Sequence, residues 1–336
     1  MKTKALRRCC LILIGCALLL SSCIMDDLEH CMTQVTIRFN YAYQVADAGE
    51  EFPAAVKEVR LYIFNDADLF LGETIQGVPD GSTQNSFLVD FDFAPGTYTI
   101  VTWAGEWHDR LSTALTDEGT MTPGTLVPGV TTLSQALLLL TGTVPEARGS
   151  STAMVAGMDT PVNLFHGLNR DVEVISGRST QINANLAHSS YHVEVCITDL
   201  RTVRPDVTAC DVSARLGNAA LTFDHDVYAM APAVGYLPYL IKDENSHIRT
   251  STLSVMRMRP DTKGDLVVTD SRDGRELFRR SLVEDILLHH PLVKPDPAAG
   301  LDKYSRFRID LEITDSRPGI GITIADWTVR LVDTDM

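Results

Sequence analysis

Apolar residues recur at every second position, and that period constrains this chain more than anything else in it. In the stretch 306–313, Phe307, Ile309, Leu311 and Ile313 are apolar, while Arg308, Asp310 and Glu312 between them are charged. Successive side chains of an extended strand point to opposite faces, whereas a helix would scatter these residues around its axis. A half-buried strand is the only element that satisfies the pattern. The rhythm recurs from the start of the chain. Val35, Ile37, Phe39, Tyr41 and Tyr43 alternate with Thr36, Arg38, Asn40 and Ala42, and Val59, Leu61 and Ile63 alternate within 57–64. Asn65-Asp66-Ala67-Asp68 then supplies turn chemistry. Residues 87–91 lead through the Pro95-Gly96 turn into a strand over 97–103, and 171–176 and 180–186 are joined by a Gly177-Arg178 turn. A second series opens at 191–197 and continues through 253–258, 266–269 and 307–313 to Trp327, Val329 and Leu331.

Two interruptions stand out. Residues 133–136 read as a helical turn with Thr132 as its N-cap. The apolar run 137–140 that follows is long enough only for a packed turn or a buried strand. Residues 142–160, rich in Gly, Ser, Thr and Ala, read as a long loop. The order predicts an all-β fold of two tandem β-sandwiches, one over residues 33–186 and the other over 187–336. No internal repeat of the ~20–50-residue kind occurs, which argues against solenoids and propellers.

The N-terminus carries an address. Lys2, Lys4, Arg7 and Arg8 precede an apolar run from Cys9 to Leu20 that is too short to remain in a bilayer. Residues 1–22 are therefore expected to be a signal peptide. Leu20-Ser21-Ser22-Cys23 reads as a bacterial lipobox, with cleavage after Ser22 and diacylglycerol on the Cys23 thiol. The alternative is an ordinary secretory cut that leaves Cys23 free. Three acyl chains on Cys23 exceed the two signals that stable anchoring requires. Residues 23–32 then form a lipidated tether. Its Asp26-Asp27 pair resembles the acidic signal that sends Bacteroidales lipoproteins to the outer face of the outer membrane. The expected location is the outer membrane, lipid-anchored and exposed at the cell surface.

Composition narrows the partners. The full chain carries a net charge of −15, and loss of four signal-peptide cations takes the mature chain to about −19. Such a surface repels nucleic acid and anionic membrane. No second apolar segment is long enough to span a bilayer. Of seven cysteines, Cys9, Cys10 and Cys16 leave with the signal and Cys23 takes the lipid, so Cys31, Cys196 and Cys210 remain. Cys196 and Cys210 could pair across a hairpin, or stand as two separate buried thiols; Cys31 is then the odd one.

Catalytic and metal chemistry find little support. His289-His290 lacks a third ligand at useful spacing and reads as a pair of surface histidines. Asp66/Asp68, Asp90/Asp92 and Asp224/Asp226 each place two carboxylates on one side of an extended chain. A calcium loop needs more oxygen ligands, so turn or exposed-face residues are expected there. Gly319 and Gly321 lack the following helix of a phosphate site, and no nucleophile–base set assembles. No catalytic residue, metal or cofactor is expected. Trp103, Trp107 and Trp327, with Tyr98, Tyr191 and Tyr236, could form an aromatic glycan platform or lie in the cores.

The ordered segments together resemble the FimB-type fimbrial anchor lipoproteins of Bacteroidales. The resemblance is carried by residues 25–31, 35–41 and 56–64, by Pro95-Gly96-Thr97-Tyr98 and Trp103-Ala104-Gly105, by Asn163-Leu164-Phe165-His166-Gly167, and by residues 322–327. It implies two transthyretin-like β-sandwiches and an outer-membrane anchor for a polymerised pilin. Stalk pilins of this type lose their first strand to proteolysis. An anchor cut at Arg38 or Arg60 would part from its lipid, so residues 33–43 are expected to stay in place. The C-terminal strand over 322–333 is then the expected contact with stalk pilin, with Ile322, Ile324, Trp327, Val329 and Leu331 in the strand exchange. A surface adhesin or glycan-binding lipoprotein of the same fold is the alternative.

Overall fold

The computed structural model describes residues 35–41, 56–78, 86–89, 91–106, 110–141, 143–144, 153–155, 163–202, 205–315, 319–324 and 327–331. The signal and tether expected over residues 1–32, including Ser22, Cys23, Asp26, Asp27 and Cys31, lie outside the described residues, as does Trp107.

The alternating stretches over 35–41, 58–64, 180–186 and 307–313 all fall in strands. In chain order the described strands are β1 Val35–Tyr41, β2 Glu58–Asn65, β3 Phe70–Gly77, β4 Ser86–Val89, β5 Gly96–Gly105, β6 Leu111–Asp117, β7 Thr120–Pro123 and β8 Ala136–Leu140. Next come β9 Thr143–Val144, β10 Ala153–Val155, β11 Leu164–Val174, β12 Thr180–His188, β13 Ser190–Asp199, β14 Cys210–Leu216, β15 Ala220–Thr222 and β16 Val234–Tyr236. The last are β17 Leu240–Asn245, β18 Ile248–Met256, β19 Gly264–Asp270, β20 Glu276–Ser281, β21 Arg306–Ile313, β22 Gly319–Ile324 and β23 Trp327–Leu331. The protein is an all-β sandwich protein. Its turn after β2 works as expected, because the Asn65 side-chain oxygen accepts from Ala67 N (3.0 Å) and Leu69 N (2.9 Å). The interruption at residue 133 is both of the expected things in turn: a 3₁₀ turn Leu133–Gln135 with a Thr132/Gln135 capping box, then the buried strand β8.

The strands make four sheets. A seven-stranded sheet has the order β3-β2-β5-β11-β12-β1-β4. It doubles over at β12, which pairs with β11 only through Phe165↔His188 and His166↔Ala187 and then runs beside β1. The two wings enclose one core: Val35, Ile37 and Phe39 of β1 and Ile182, Ala184 and Leu186 of β12 meet Val59, Leu61, Ile63, Ile100 and Ala104. The other face of the β2-β5-β11 wing carries Tyr62, Phe64, Val101, Trp103 and Leu164 into a second core. Both faces of β5 are thus buried, and every residue from Tyr98 to Gly105 is out of solvent. Gly105 (φ +155°) is required there, since a Cβ would lie 2.1 Å from the Asn163 carbonyl oxygen.

A four-stranded sheet, β15-β8-β6-β7, covers that second face. Two six-stranded sheets, β20-β19-β14-β16-β10-β9 and β17-β18-β13-β21-β22-β23, form the second sandwich. Tyr191, Val193, Val195 and Ile197 of β13 and Phe307, Ile309, Leu311 and Ile313 of β21 meet Val212, Ala214, Leu216, Leu266 and Val268 of the facing sheet. Each such buried aliphatic side chain contributes about 1.5–3 kcal/mol.

Two sheets draw strands from both sides of the junction expected at residues 186 and 187. β15 pairs with β8 (Ala220↔Leu139 to Thr222↔Leu137), and β10 pairs in parallel with β16 (Ala153↔Val234 to Val155↔Tyr236). No cut at that junction separates the sheets. The segment read as the loop 142–160 supplies β9 and β10. These strands are too short to show a period, and what orders them is main-chain pairing with a strand some eighty residues away.

The pairing considered for Cys196 and Cys210 does not form; both are free, buried thiols. Val195 and Ile197 face the core, so Cys196 between them faces the opposite side of its sheet, while Cys210 belongs to the core of the facing sheet. A sheet thickness separates the two sulfurs. Burial pushes the Cys210 thiol up to about 11, which keeps it protonated and inert.

Phe223, directly after β15, seals the exchange. It is fully buried and meets Tyr62 edge-on at 5.0 Å, with Trp103 at 6.1 Å and Phe64 at 6.2 Å. Phe223→Ala should lower unfolding free energy by about 3–5 kcal/mol in urea denaturation; a loss under about 1 kcal/mol would mean that this contact does not hold the halves together.

Candidate functional site

The first and last described strands hold opposite places in their sheets. β1 is an inner strand, in register with β12 over Val35↔Thr180 to Tyr41↔Leu186 on one side and with β4 over Val35↔Val89 to Arg38↔Ser86 on the other. Val35, Ile37 and Phe39 are 0–2% exposed. Stripping β1 away would uncover the core between the wings and orphan two hydrogen-bonded ladders. β23 is instead the last strand of its sheet, paired only with β22 among the described residues. In register terms Val329 stands opposite Ile322, which stands opposite Ile309 of β21; Leu331 stands opposite Ile320, and Trp327 opposite Ile324. The five expected contact positions are thereby gathered on two adjacent strands at one sheet border. A border strand presents unpaired N–H and C=O groups, the chemistry that a partner strand requires.

Among the described side chains of the aromatic set no exposed platform forms; those of Trp107 and Trp327 lie outside the description. Trp103, Tyr98, Tyr191 and Tyr236 are all buried, between 0 and 7% exposed, because the alternation that places them aims them into the cores. A polar cavity of about 350 Å³ lies elsewhere, lined by Gly217, Asp226, Tyr228, Arg259, Asp261 and Lys263 among others. Arg259 pairs with Asp226 across it (3.2 Å), and the Tyr228 hydroxyl shares a hydrogen bond with Thr116 of β6 (2.6 Å). Of the acid pairs, Asp66 and Asp68 sit in the turn after β2, as expected. Asp224 and Asp226 flank a turn in which Thr222 and Asp226 are joined through the backbone, and each acid takes an arginine, Arg170 and Arg259. His289 is exposed as expected, but His290 is fully buried. The pair lies at the end of a 3₁₀ turn instead of in a strand, and His290 Nδ1 accepts from Leu292 N (3.2 Å). No group of three His, Cys, Asp or Glu residues able to hold a metal occurs among the described residues.

A polar cluster that alternation alone does not reveal lies at the seam between the sandwiches. β11 supplies His166, the end of β12 His188, the turn after β15 His225, and the residue after β18 Arg257. The short helix Pro297–Lys303, capped by Asp296 on Ala299 N, supplies Asp302. His166 Nε2 donates to the Phe223 carbonyl (2.9 Å), which fixes its tautomer. Its ring stacks on His225 at 4.5 Å and 10°, and Trp103 stands edge-on to it at 4.6 Å. His225 Nε2 accepts from Ser189 Oγ (2.8 Å) and lies 3.4 Å from Arg257 Nη1. Arg257 in turn pairs with Asp302 (2.7 Å). Burial, reinforced by the Arg257 charge, lowers His166 to about 3 and His188 to about 4. His225 is also held well below its usual range by burial and by His166 beside it. In sequence, His166 stood in a stretch noted only for resemblance and His225 only between two acids.

Inward-facing aromatics and aliphatics, interlocked sheets and a last strand that has one neighbour among the described residues define a structural β-sandwich protein. Residues 28–333 match the fimbrillin-A associated anchor proteins Mfa1 and Mfa2, and the chain belongs to that family. It is a family of anchors, not enzymes. Among solved structures, the fold matches a candidate polysaccharide-binding protein from Bacteroides thetaiotaomicron VPI-5482 with a TM-score of 0.71 and 20% identity, over 90% of this chain and 100% of that one. A candidate adhesin from Bacteroides ovatus gives 0.67 and 18%, over 90% and 97%. The fimbrial anchor protein Mfa2 from Porphyromonas gingivalis gives 0.64 and 20%, over 90% and 100%. No curated protein matches the chain.

The histidine seam predicts an acid-sensitive fold. With folded-state values below the unfolded one, the neutral rings contribute their full stability above about pH 6.5. That contribution is lost as pH falls from there toward about 3. His166 and His188 should each cost about 1.4 kcal/mol per pH unit between about pH 6.5 and about pH 4. Urea denaturation between about pH 7 and about pH 5 should show the decline, and His166→Phe should flatten it. An unchanged slope in that variant would refute the role of His166.

Proposed function

We propose that the mature chain is a surface-exposed outer-membrane lipoprotein that holds a fimbria to the cell. Diacylglycerol on Cys23 is its membrane end, Asp26-Asp27 directs it outward, and residues 24–32 are the strap to the first sandwich. Its fimbrial end is the border strand β23 with β22, which joins stalk pilin by strand pairing at Ile322, Ile324, Trp327, Val329 and Leu331. Family membership supports the anchoring role. The observation that carries the mechanism is the contrast between the two ends: β1 is built into the core between β12 and β4, whereas β23 borders its sheet. A subunit that keeps its first strand offers no groove there, so it contributes to the joint through its other end.

The polar cavity favours one second reading, a glycan-binding surface lipoprotein. Tyr228 with the Arg259–Asp226 pair offers one aromatic ring and matched donors and acceptors to a polyhydroxylated ligand. Titration of the mature protein with polysaccharides, beside pull-down with stalk pilin, separates the two readings.

Deleting residues 320–336 should release fimbriae into the medium while the protein itself stays in the outer-membrane fraction. Cys23→Ala should release the protein together with its fimbria. Immunogold counts on intact cells read both outcomes, and cell-attached fimbriae at normal levels after the deletion would overturn the proposed contact.

A further inference from the structure

Most strand pairs in the four sheets are antiparallel, and the two long parallel pairs stand out by their position. β1 runs parallel to β12 over seven register pairs, and β13 runs parallel to β21 over eight, from His192↔Arg306 to Asp199↔Ile313. In a parallel pair both strands begin at the same end. The start of β1 is the side from which the N-terminal tether arrives. The end of β12 lies at the opposite end of the pair and passes through Ser189 alone into β13. The relation then repeats. The chain enters the second sandwich at the start of β13, and β21 finishes at the far end of that pair. β22 is antiparallel to β21 and β23 to β22, so β23 also finishes at the far end.

Tension along such a path has one mechanical consequence. Pulling the start of β1 against the end of β12 slides the strands past one another, so the whole ladder is strained together. Pulling two neighbouring strands from the same end opens a ladder one bond at a time. Sliding also meets side-chain resistance. Ile37 and Phe39 are packed with Ile182, Ala184 and Leu186, and Val193, Val195 and Ile197 with Phe307, Ile309 and Leu311. A slip of one residue would turn each of these sets to the wrong face. Arg308 of β21 reaches directly across the second pair to Glu194 of β13 (3.0 Å). At the far end of β13, Arg201 pairs with Asp199 (2.7 Å) and with Asp270 of the facing sheet (3.1 Å), all three buried.

We propose that β1/β12 and β13/β21 are two shear clamps in series, built to carry tension from the N-terminal tether to the C-terminal border strand. The direction of tension rests on the anchoring function proposed above; the clamps themselves rest on strand polarity and register. Forced unfolding is governed by the unfolding barrier, so the direction of pulling alone should change it.

Single-molecule force spectroscopy on the mature, unlipidated chain tests this. Cys31→Ser leaves Cys23 as the only reactive thiol at the N-terminal end, since Cys196 and Cys210 are buried. One handle goes on Cys23 and the other on the C-terminus. In a second form the other handle goes on Arg178→Cys, in the exposed turn before β12, at the same end of the pair as the start of β1. Rupture force should be several-fold higher end to end than in the second form, where β1 peels from β12. Equal forces in the two geometries would overturn the clamps. Because the measurement uses the isolated protein, failure of the anchoring function would show in the deletion and immunogold counts and leave these forces unchanged.

Discussion

Burial of β5 on both faces is the constraint on which the rest of the molecule depends. Ile100 and Ala104 look into the core closed by β1 and β12, while Val101 and Trp103 look into the core shared with β8, β15 and Phe223. A sheet solvated on one face would leave the second sandwich joined to the first by little more than the chain at Ser189 and the short pairing of β10 with β16. A sheet buried on both faces needs a second cover, and part of that cover, β15 with Phe223, comes from beyond residue 189. The two sandwiches are joined because the central sheet has no face to spare.

That joint explains the environment of the seam. His166 and His188 lie buried where the two cores meet, beside Trp103 and Tyr191, and the half-buried His225 stacks on His166. Desolvation makes the neutral ring the lower-energy form, and Arg257 penalises a further positive charge. The same packing leaves the chain ends in different conditions. β1 is held from both sides, and β23 has one described neighbour. For an anchor proposed to link membrane and fibre, an immobile membrane-side strand and an accessible fibre-side strand are the useful division.

Much of the fold was legible along the chain, for a reason that particular elements make clear. β21 and β12 bury alternate residues over seven or more positions, so the period is long enough to read. β9, β10 and β15 are two or three residues long and carry no period. They exist because distant strands complete their hydrogen bonds, so residues 142–160 looked like loop. The same limit applies to the site residues. The strand signals of Ile322 to Leu331 were legible, but their place at a sheet border was not, and the partners of His225 came from different elements. Cys196 and Cys210 illustrate the converse: close spacing suggested a hairpin pair, and the opposite facing of two sheets kept them apart.

The sequence by itself determined that this chain is a β-sandwich protein, because a two-residue period admits no other element and its apolar set must leave water. It also carried the ordered segments that pointed to fimbrial anchors. Only the tertiary structure decided which strands lie beside which. It exchanged β10 and β15 across the expected junction, made β1 an inner strand and β23 a border, and ran β1 with β12 and β13 with β21 in parallel. Alternation says which face of a strand is buried and nothing about its neighbours. Neighbours are settled by how the sheets close over shared cores.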